Sequence, residues 1–400
     1  MEMPKYHAIT LRHLMLLFVI LLAAMLFRRF DAFSFPQLYG EDGPIFFQQC
    51  EELGWRSLLT PYNGYLHLLP RLVALLFGLL RVKYEYIPYC YNYSAFAIAY
   101  LTAIYLYLCA AQLNVHHKLF FSSVIFLLPM QAEVFMTITN LIWFTPLFLI
   151  AYLLAGHKLG NPYLSLPVVC IASLSGPGAL LLAPLAIYLI LTKRKNASLP
   201  FIIALLTIVV CGGIQFWMLK TGGGIARTFP AATEHLHLLK LATNNCSRIF
   251  FLDKLPAALN SPIKQMIGGA SLFMIFIYIF IVKYKKIAAQ EKIVLLYAAI
   301  VFLISFTAAY WPKESMVTSF VGARYYFIPF SCIAFIFIWS IDKHIKIYHV
   351  VFYVIFWALH GDDLAQHYTD KHWGKQVKEY RLGKRHSMDI LPDGWSFNLK

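Results

Sequence analysis

The chain has 400 residues, of which 60% are hydrophobic and only 13% charged, against roughly 45–50% and about 25% in soluble domains. That balance excludes the two or three soluble domains that length alone would suggest. A net charge of +15 does not read as a nucleic-acid surface, because apolar runs keep interrupting the Lys and Arg residues; the excess reads as topology signal and anionic-lipid contact.

Taken in chain order, the first element has a basic start and an apolar stretch from Leu14 to Phe27, as a signal peptide would. Phe27-Arg28-Arg29-Phe30 offers no small-residue cleavage site and more apolar runs follow, so it reads as a retained first helix. About 20 apolar residues cross a bilayer as a helix, and somewhat shorter ones serve in bundles. On that measure the predicted spans are 11–30, 86–110, 117–131, 140–156, 163–175, 176–192, 199–219, 263–282, 291–311, 322–341 and 345–360. The run 66–80 is shorter, carries Pro70 and Arg71 and is followed by Arg81 and Lys83, so it reads as an interfacial helix. The expected fold is an all-α polytopic membrane protein with about 11 transmembrane helices and interfacial helices in its first outer loop. Residues 1–360 form the membrane domain, with loops at 31–85 and 220–262, and 361–400 form an outer tail.

With 66–80 on the surface, the short loops on the N-terminal side carry thirteen basic residues against three acids (Glu2, Glu291 and Asp342). The positive-inside rule then places the N-terminus in the cytoplasm and, after eleven spans, the C-terminus outside. The other sixteen of nineteen acids fall on the outer side, which locates the chemistry there. The seven cysteines show no CxxC pattern and no zinc spacing. Most sit in apolar runs, as small hydrophobes do. No internal repeat is present.

The first outer loop is the most informative stretch. It reads Phe35-Pro36-Gln37-Leu38-Tyr39-Gly40-Glu41-Asp42-Gly43-Pro44, then Pro61-Tyr62-Asn63-Gly64-Tyr65-Leu66-His67-Leu68-Leu69-Pro70-Arg71. Gly40, Gly43 and Pro44 hold the Glu41-Asp42 pair in a fixed turn just past the first span. A carboxylate pinned there suits a general base that takes a proton from an acceptor hydroxyl; its competing role is a solvated acidic turn. Arg71 and Arg324 stand at the outer face, where a guanidinium can hold phosphate oxygens bidentately; alternatively, with Tyr325 and Tyr326, Arg324 belongs to an anchoring belt. Glu133, Asn140 and Trp143 flank one short outer turn and are candidates to bind a sugar, against a capping role with an interfacial Trp. Tyr65, His67 and Tyr325 are further candidates for sugar or acceptor contact.

These residues resemble a family. The acidic pair and glycine after the first span, with Pro-Tyr-x-Gly-Tyr-Leu-x-x-x-Pro-Arg in the same loop, look like the GT-C superfamily of glycosyltransferases that use polyprenyl-phosphate sugars. Within it the nearest group is the serotype-converting glucosyltransferases of lipopolysaccharide O-antigen. Thr139-Asn140-Leu141-Ile142-Trp143, Ser175-Gly176-Pro177, Ala323-Arg324-Tyr325-Tyr326 and Pro392-Asp393-Gly394-Trp395 match more loosely. The resemblance implies a bacterial inner-membrane enzyme with its active site in the periplasm. It also implies Asp42 or Glu41 as base, and transfer of a hexose, glucose in the nearest group, from undecaprenyl phosphate. The acceptor is an O-antigen on its lipid carrier, or lipopolysaccharide, and the anomeric centre inverts. Membrane lipid is a partner and nucleic acid is not.

No cofactor is assigned from sequence and no metal site is named. A divalent metal stays open because His360, Asp363 and His367 would share one helix face, although Gly361-Asp362-Asp363 is also an ordinary helix start. His235 and His237 lack HExxH spacing, Gly222-Gly223-Gly224 lacks the Lys-Ser/Thr of a phosphate loop, and no nucleophile elbow occurs. Two competing readings remain. An O-antigen polymerase or ligase keeps its main outer loop late in the chain, whereas the best motif here is early. A lipid-linked-sugar flippase or transporter wants charges mid-span, and these spans have almost none.

Overall fold

Thr10 starts the first helix, α1 (Leu11–Arg28), by accepting a hydrogen bond from the His13 amide at 3.4 Å while the His13 ring faces the Thr10 amide. No Pro or Gly interrupts α1, and Arg28 in its last turn complements the helix dipole. The computed structural model describes residues 10–110, 113–128, 132–154, 162–193, 197–221 and 368–399, with scattered positions between 294 and 335. The described chain is mostly helical. Leu17, Leu21 and Ala24 of α1 are buried while Leu11, Met15 and Val19 on the other side are exposed. A helix that is apolar all round suits lipid on its outer face.

The first loop carries α2 (Gln48–Leu53) and α3 (Leu68–Leu79). Beyond it come α4 (Ile87–Cys109), α5 (Val115–Ser123), α6 (Phe144–Leu154), α7 (Pro162–Ser173), α8 (Gly178–Lys193) and α9 (Leu199–Thr221). Among the described residues, Leu11–Arg28, Tyr84–Cys109 and Leu199–Thr221 are long and apolar enough to cross a membrane. α4 packs against α1, α5 and α6, and α9 packs against α7 and α8.

Several expected spans differ in detail. The run 117–131 is α5, begun by the Asn114 side chain on the His117 amide at 3.0 Å, and it passes at Val124–Phe126 into a 3-10 turn. Ser122 and Ser123 donate back to the carbonyls of Lys118 and Phe120, a bonding pattern that weakens a helix end. Lys118, expected in a loop, is therefore on a helix and buried, its ammonium 5.5 Å from the Tyr107 ring centre. The run 140–156 opens as a 3-10 turn, Thr139–Trp143, before α6. Predicted spans 263–282 and 345–360, most of 291–311 and 322–341, and the loop 222–262 lie outside the described residues.

Two compact units are formed, one of Met1–Phe126, Glu133–Ile225 and His367–Lys400, the other of Leu127–Ala132 and Ala226–Gln366. In the second, Val294, Ala298 and Val301 are buried at helical spacing, as are Ile328, Ser331 and Phe335.

α3 has 12 residues, about 18 Å at 1.5 Å per residue, too short by itself to cross a hydrocarbon core of about 30 Å. α5, α6 and α7, with 9, 11 and 12 residues, fall short of it as well, so the runs 117–131, 140–156 and 163–175 do not form the full-length spans expected of them. α3 buries Pro70, Arg71, Val73 and Ala74 and exposes Leu76 and Leu79. One side of α3 is therefore packed and the other open.

The tail departs from the all-α expectation. After α10 (Trp373–Arg381) it forms β1 (Ser387–Ile390) and β2 (Trp395–Asn398), an antiparallel pair in which Met388 faces Phe397 and Ile390 faces Trp395. Met388, Ile390 and Phe397 alternate inward along the strands and Pro392-Asp393-Gly394 makes the turn, a period-2 pattern that a helix cannot satisfy. Gln376 knits the unit together, donating to the carbonyls of Lys371 and Asp389 and accepting from the Asp389 amide at 2.7 Å.

The tail lies on the first loop. Gln37 donates to the Thr369 carbonyl at 3.1 Å, and the Leu391 amide donates to the Leu38 carbonyl at 3.0 Å. The Trp373 indole donates to the Tyr84 carbonyl at 2.8 Å. Phe397 sits so close to Gly43 that a Cβ there would stand 2.6 Å from its ring. Gly43→Ala is therefore expected to destabilise the chain by about 1–3 kcal/mol through overpacking. Gly374→Ala, with open space around it, serves as the neutral control in the same thermal-melting comparison.

Candidate functional site in the first loop

The site begins at Gly40, whose φ of +50° turns the chain after Tyr39 and whose amide donates to the Leu391 carbonyl. Glycine adopts that backbone region without strain. Glu41 and Asp42 follow in a 3-10 turn, and the pair splits by environment. Asp42 is fully buried. Its Oδ1 accepts from the Thr139 amide at 2.8 Å and the Thr139 hydroxyl at 2.5 Å, and its Oδ2 accepts from the Thr137 hydroxyl at 2.9 Å. Burial pushes its carboxyl up from 3.8 to about 6, against the lowering effect of these three bonds. Glu41 is half-buried and accepts from the Tyr62 hydroxyl at 3.2 Å. A carboxylate that must meet an incoming hydroxyl needs some access from outside, and of the two Glu41 is the less enclosed.

Tyr62 and Tyr65 close a tight turn on each other, their amides donating reciprocally at 3.0 and 3.2 Å, with Asn63 and Gly64 both at positive φ. Asn-Gly is the pair that such a two-residue turn favours. The turn brings the rings of Tyr62, Tyr65 and His67 together, Tyr65 stacked on His67 at 4.9 Å between centres. Burial, and the nearby Arg71 cation, lower His67 from 6.5 to about 3, so it is a neutral ring at physiological pH. The segment is held from behind. Gln215 of α9 bonds both the amide and the carbonyl of Leu66, and Ser175 accepts from the Leu69 amide at 2.8 Å.

Arg71, one turn into α3, is 1% exposed. One nitrogen donates to Gln49 Oε1 at 2.9 Å and the guanidinium lies 5.6 Å from the Phe46 ring centre, while Nε and the other terminal nitrogen have no partner. No carboxylate pairs with it among the described residues. Burial lowers it from 12.5 to about 10, so it stays cationic at neutral pH. Phe46 also lies against His67, at 5.8 Å between ring centres. Glu41, Tyr62, His67, Phe46 and Arg71 thus form one continuous chain of contacts: a half-buried carboxylate, an aromatic platform and a buried cation with no carboxylate beside it among the described residues.

The other predicted residues fall into three groups. Glu133 and Asn140 are buried, Asn140 donating to the Glu133 carbonyl at 2.6 Å and accepting from the Trp143 indole at 3.0 Å. These contacts make that turn a brace, and it adjoins Asp42 through Thr137 and Thr139. Arg324 belongs to the other compact unit. Tyr325, His360, Asp363 and His367 lie outside the described residues, among which no cluster of three or more His, Cys, Asp or Glu side chains is gathered for a metal.

Sequence reasoning missed Thr137, Thr139, Tyr62 and the Arg29–Asp31 pair. Arg29, 2% exposed, bonds both Asp31 oxygens at 3.1–3.2 Å and the Phe135 carbonyl at 2.7 Å. Tyr62 carried a signal through its place in the Pro-Tyr-x-Gly-Tyr run, and Thr139 a weaker one through Thr139-Asn140-Leu141-Ile142-Trp143. No protein-family profile, curated protein or solved structure matches this chain.

Proposed function

We propose that this chain is a membrane-embedded glycosyltransferase of the GT-C kind, moving a hexose such as glucose from undecaprenyl phosphate to a glycan hydroxyl on the periplasmic face of a bacterial inner membrane. One observation carries the reading: in the first loop the half-buried Glu41 and the buried Arg71, which has no carboxylate partner among the described residues, stand at the two ends of one aromatic cluster.

The chemistry follows from what each group can do. Glu41 takes the proton from the acceptor hydroxyl, whose oxygen attacks the anomeric carbon. The bond from that carbon to the phosphate oxygen breaks, the electron pair leaves with the phosphate, and the centre inverts. Arg71 is enclosed in the free chain; uncovered as the donor binds, it stabilises the departing charge through the two nitrogens that have no partner, a contribution that grows in a site screened from water. Tyr62 and Tyr65 offer ring faces to the sugar. Asp42 has a positioning role, fastening the carboxylate turn to Thr137 and Thr139.

The topology agrees with the tail's position. Contacts between the tail and residues 37–43 require both to lie on one side of any membrane that the helices cross. An even number of crossings must then separate them, as in the proposed topology.

The test is transfer by the full chain in lipid nanodiscs supplied with undecaprenyl-phosphate glucose and a lipid-linked O-antigen acceptor. Stoichiometric release of undecaprenyl phosphate with a glycosylated acceptor is the expected result. Failure to release it from any hexose-charged donor would sink the reading.

A further inference from the structure

A second feature of the first loop lies outside the transfer site. Between α3, the start of α4 and α10 there is an open cavity of about 370 Å³. Its floor is apolar, formed by Ala74, Phe77, Gly78 and Ile87, and its rim carries Arg81, Lys83 and Arg381 against one carboxylate, Glu51. The small side chains at 74 and 78 leave the space: a Cβ on Gly78 would already stand 3.1 Å from Cys50 Sγ.

The rim charges are unequal. Arg381 is neutralised by both oxygens of Glu85, and Glu51 is occupied by the Tyr84 hydroxyl at 2.7 Å. Arg81 and Lys83 are exposed and have no carboxylate partner among the described residues. Arg81 also holds an unusual place. α3 ends with the Arg81 amide on the Gly78 carbonyl and the Val82 amide on the Phe77 carbonyl, and Arg81 itself sits at φ +51°. That helix-ending position ordinarily falls to glycine, because a Cβ is disfavoured there. Arg81 takes it at a steric cost, with its charged side chain exposed at the cavity rim.

The surroundings fix the class of ligand. Leu76, Leu79 and Leu80 at the end of α3 are exposed, as are Tyr86, Tyr89 and Tyr93 at the start of α4. Exposed leucines beside a row of tyrosines are the composition of the zone where lipid headgroups meet hydrocarbon. We propose that this cavity seats an anionic diacyl phospholipid, its headgroup phosphate on Arg81 and Lys83 and the start of an acyl chain against the floor at Ala74, Phe77 and Gly78. The bound lipid fastens α3 to the bilayer surface. The assignment rests on the membrane reading of the chain and not on the transfer reaction, so a lipid measurement and a transfer measurement can fail separately.

Native mass spectrometry of the detergent-purified full chain, titrated with phosphatidylglycerol or phosphatidylcholine, tests it. Wild type is expected to retain phosphatidylglycerol preferentially. Two interfacial cations correspond to roughly 30-fold in affinity, so the Arg81→Gln/Lys83→Gln double variant should lose most of that preference. Gly78→Leu keeps both charges but fills the floor, and it too should shed the lipid. Equal retention of the two lipids by wild type, or an unchanged preference in the double variant, overturns the proposal. Displacement of phosphatidylglycerol by millimolar inorganic phosphate also overturns it, since the site would then belong to a free anion.

Discussion

Replacing Arg71 with methionine is expected to leave the purified chain at least as stable as wild type while abolishing use of a polyprenyl-phosphate sugar. The two halves of that result come from one fact, the burial of a guanidinium with two unpartnered nitrogens and no carboxylate beside it among the described residues. An unsatisfied buried polar group costs about 1–3 kcal/mol, and more for a charged one. Methionine fills similar volume, keeps contact with Phe46 and removes that cost, at the loss of the bond to Gln49. Swaps of buried charge for apolar groups are often neutral or stabilising for this reason. Were Arg71 a structural anchor, the same change would lower the melting temperature and leave the apparent affinity for donor intact in whatever protein remained folded. The decisive measurement is therefore a pair: thermal melting in detergent and donor binding in nanodiscs. A destabilised variant that still binds donor rejects the phosphate role. Wild type should in addition melt higher when the lipid phosphate is present, by mass action on the folded state, and the variant should not.

How much of this was legible beforehand depends on the kind of information involved. The long apolar runs predicted α1, α4 and α9 to within a few residues, because hydrocarbon thickness sets a length that composition alone reveals. The brevity of 66–80, with Pro70 and Arg71 inside it, likewise gave away the short α3. The site was legible as a neighbourhood. Glu41, Tyr65, His67 and Arg71 lie within one loop, and local spacing is enough to group them. What the sequence does not carry is pairing at a distance. Asp42 meets Thr137 and Thr139 across a separation of 95 and 97 residues, and Gln37 meets Lys371 across 334. Neither contact leaves a periodic trace in either segment. The split between Glu41 and Asp42 arises from those distant partners, so two adjacent carboxylates that are equivalent on paper become one fully enclosed and one less so. The tail hairpin escaped for a different reason: its strands have four residues each, too short for alternation to stand out.

The same split predicts opposite phenotypes for the two carboxylates. Glu41→Gln keeps the side chain's size and its contact with the Tyr62 hydroxyl but removes the lone pair that accepts the acceptor's proton. General-base catalysis is worth roughly 10²–10⁴-fold, so turnover should fall by that factor with donor affinity and melting temperature unchanged. Asp42→Asn should act on stability and its pH dependence instead. Folding raises the Asp42 carboxyl from 3.8 to about 6, so the folded chain holds that proton more tightly than the unfolded chain does. The stabilisation is then fully present below about pH 4 and is lost as pH rises through about 6. At ~1.4 kcal/mol per pH unit the swing is on the order of 3 kcal/mol. Asparagine does not titrate. Its carbonyl oxygen can keep both Thr139 donors, and its amide can donate to the Thr137 hydroxyl. The Asp42→Asn chain should therefore lose the downward slope in stability between pH 4 and 6, and at neutral pH it should melt no lower than wild type. Asp42→Ala removes the acceptor altogether and leaves both threonine hydroxyls and the Thr139 amide without it. It should cost about 1–3 kcal/mol for each group left unsatisfied. If instead Asp42→Asn erases turnover with its pH-stability curve intact while Glu41→Gln transfers normally, the base is Asp42, and the site must open to expose it during the reaction.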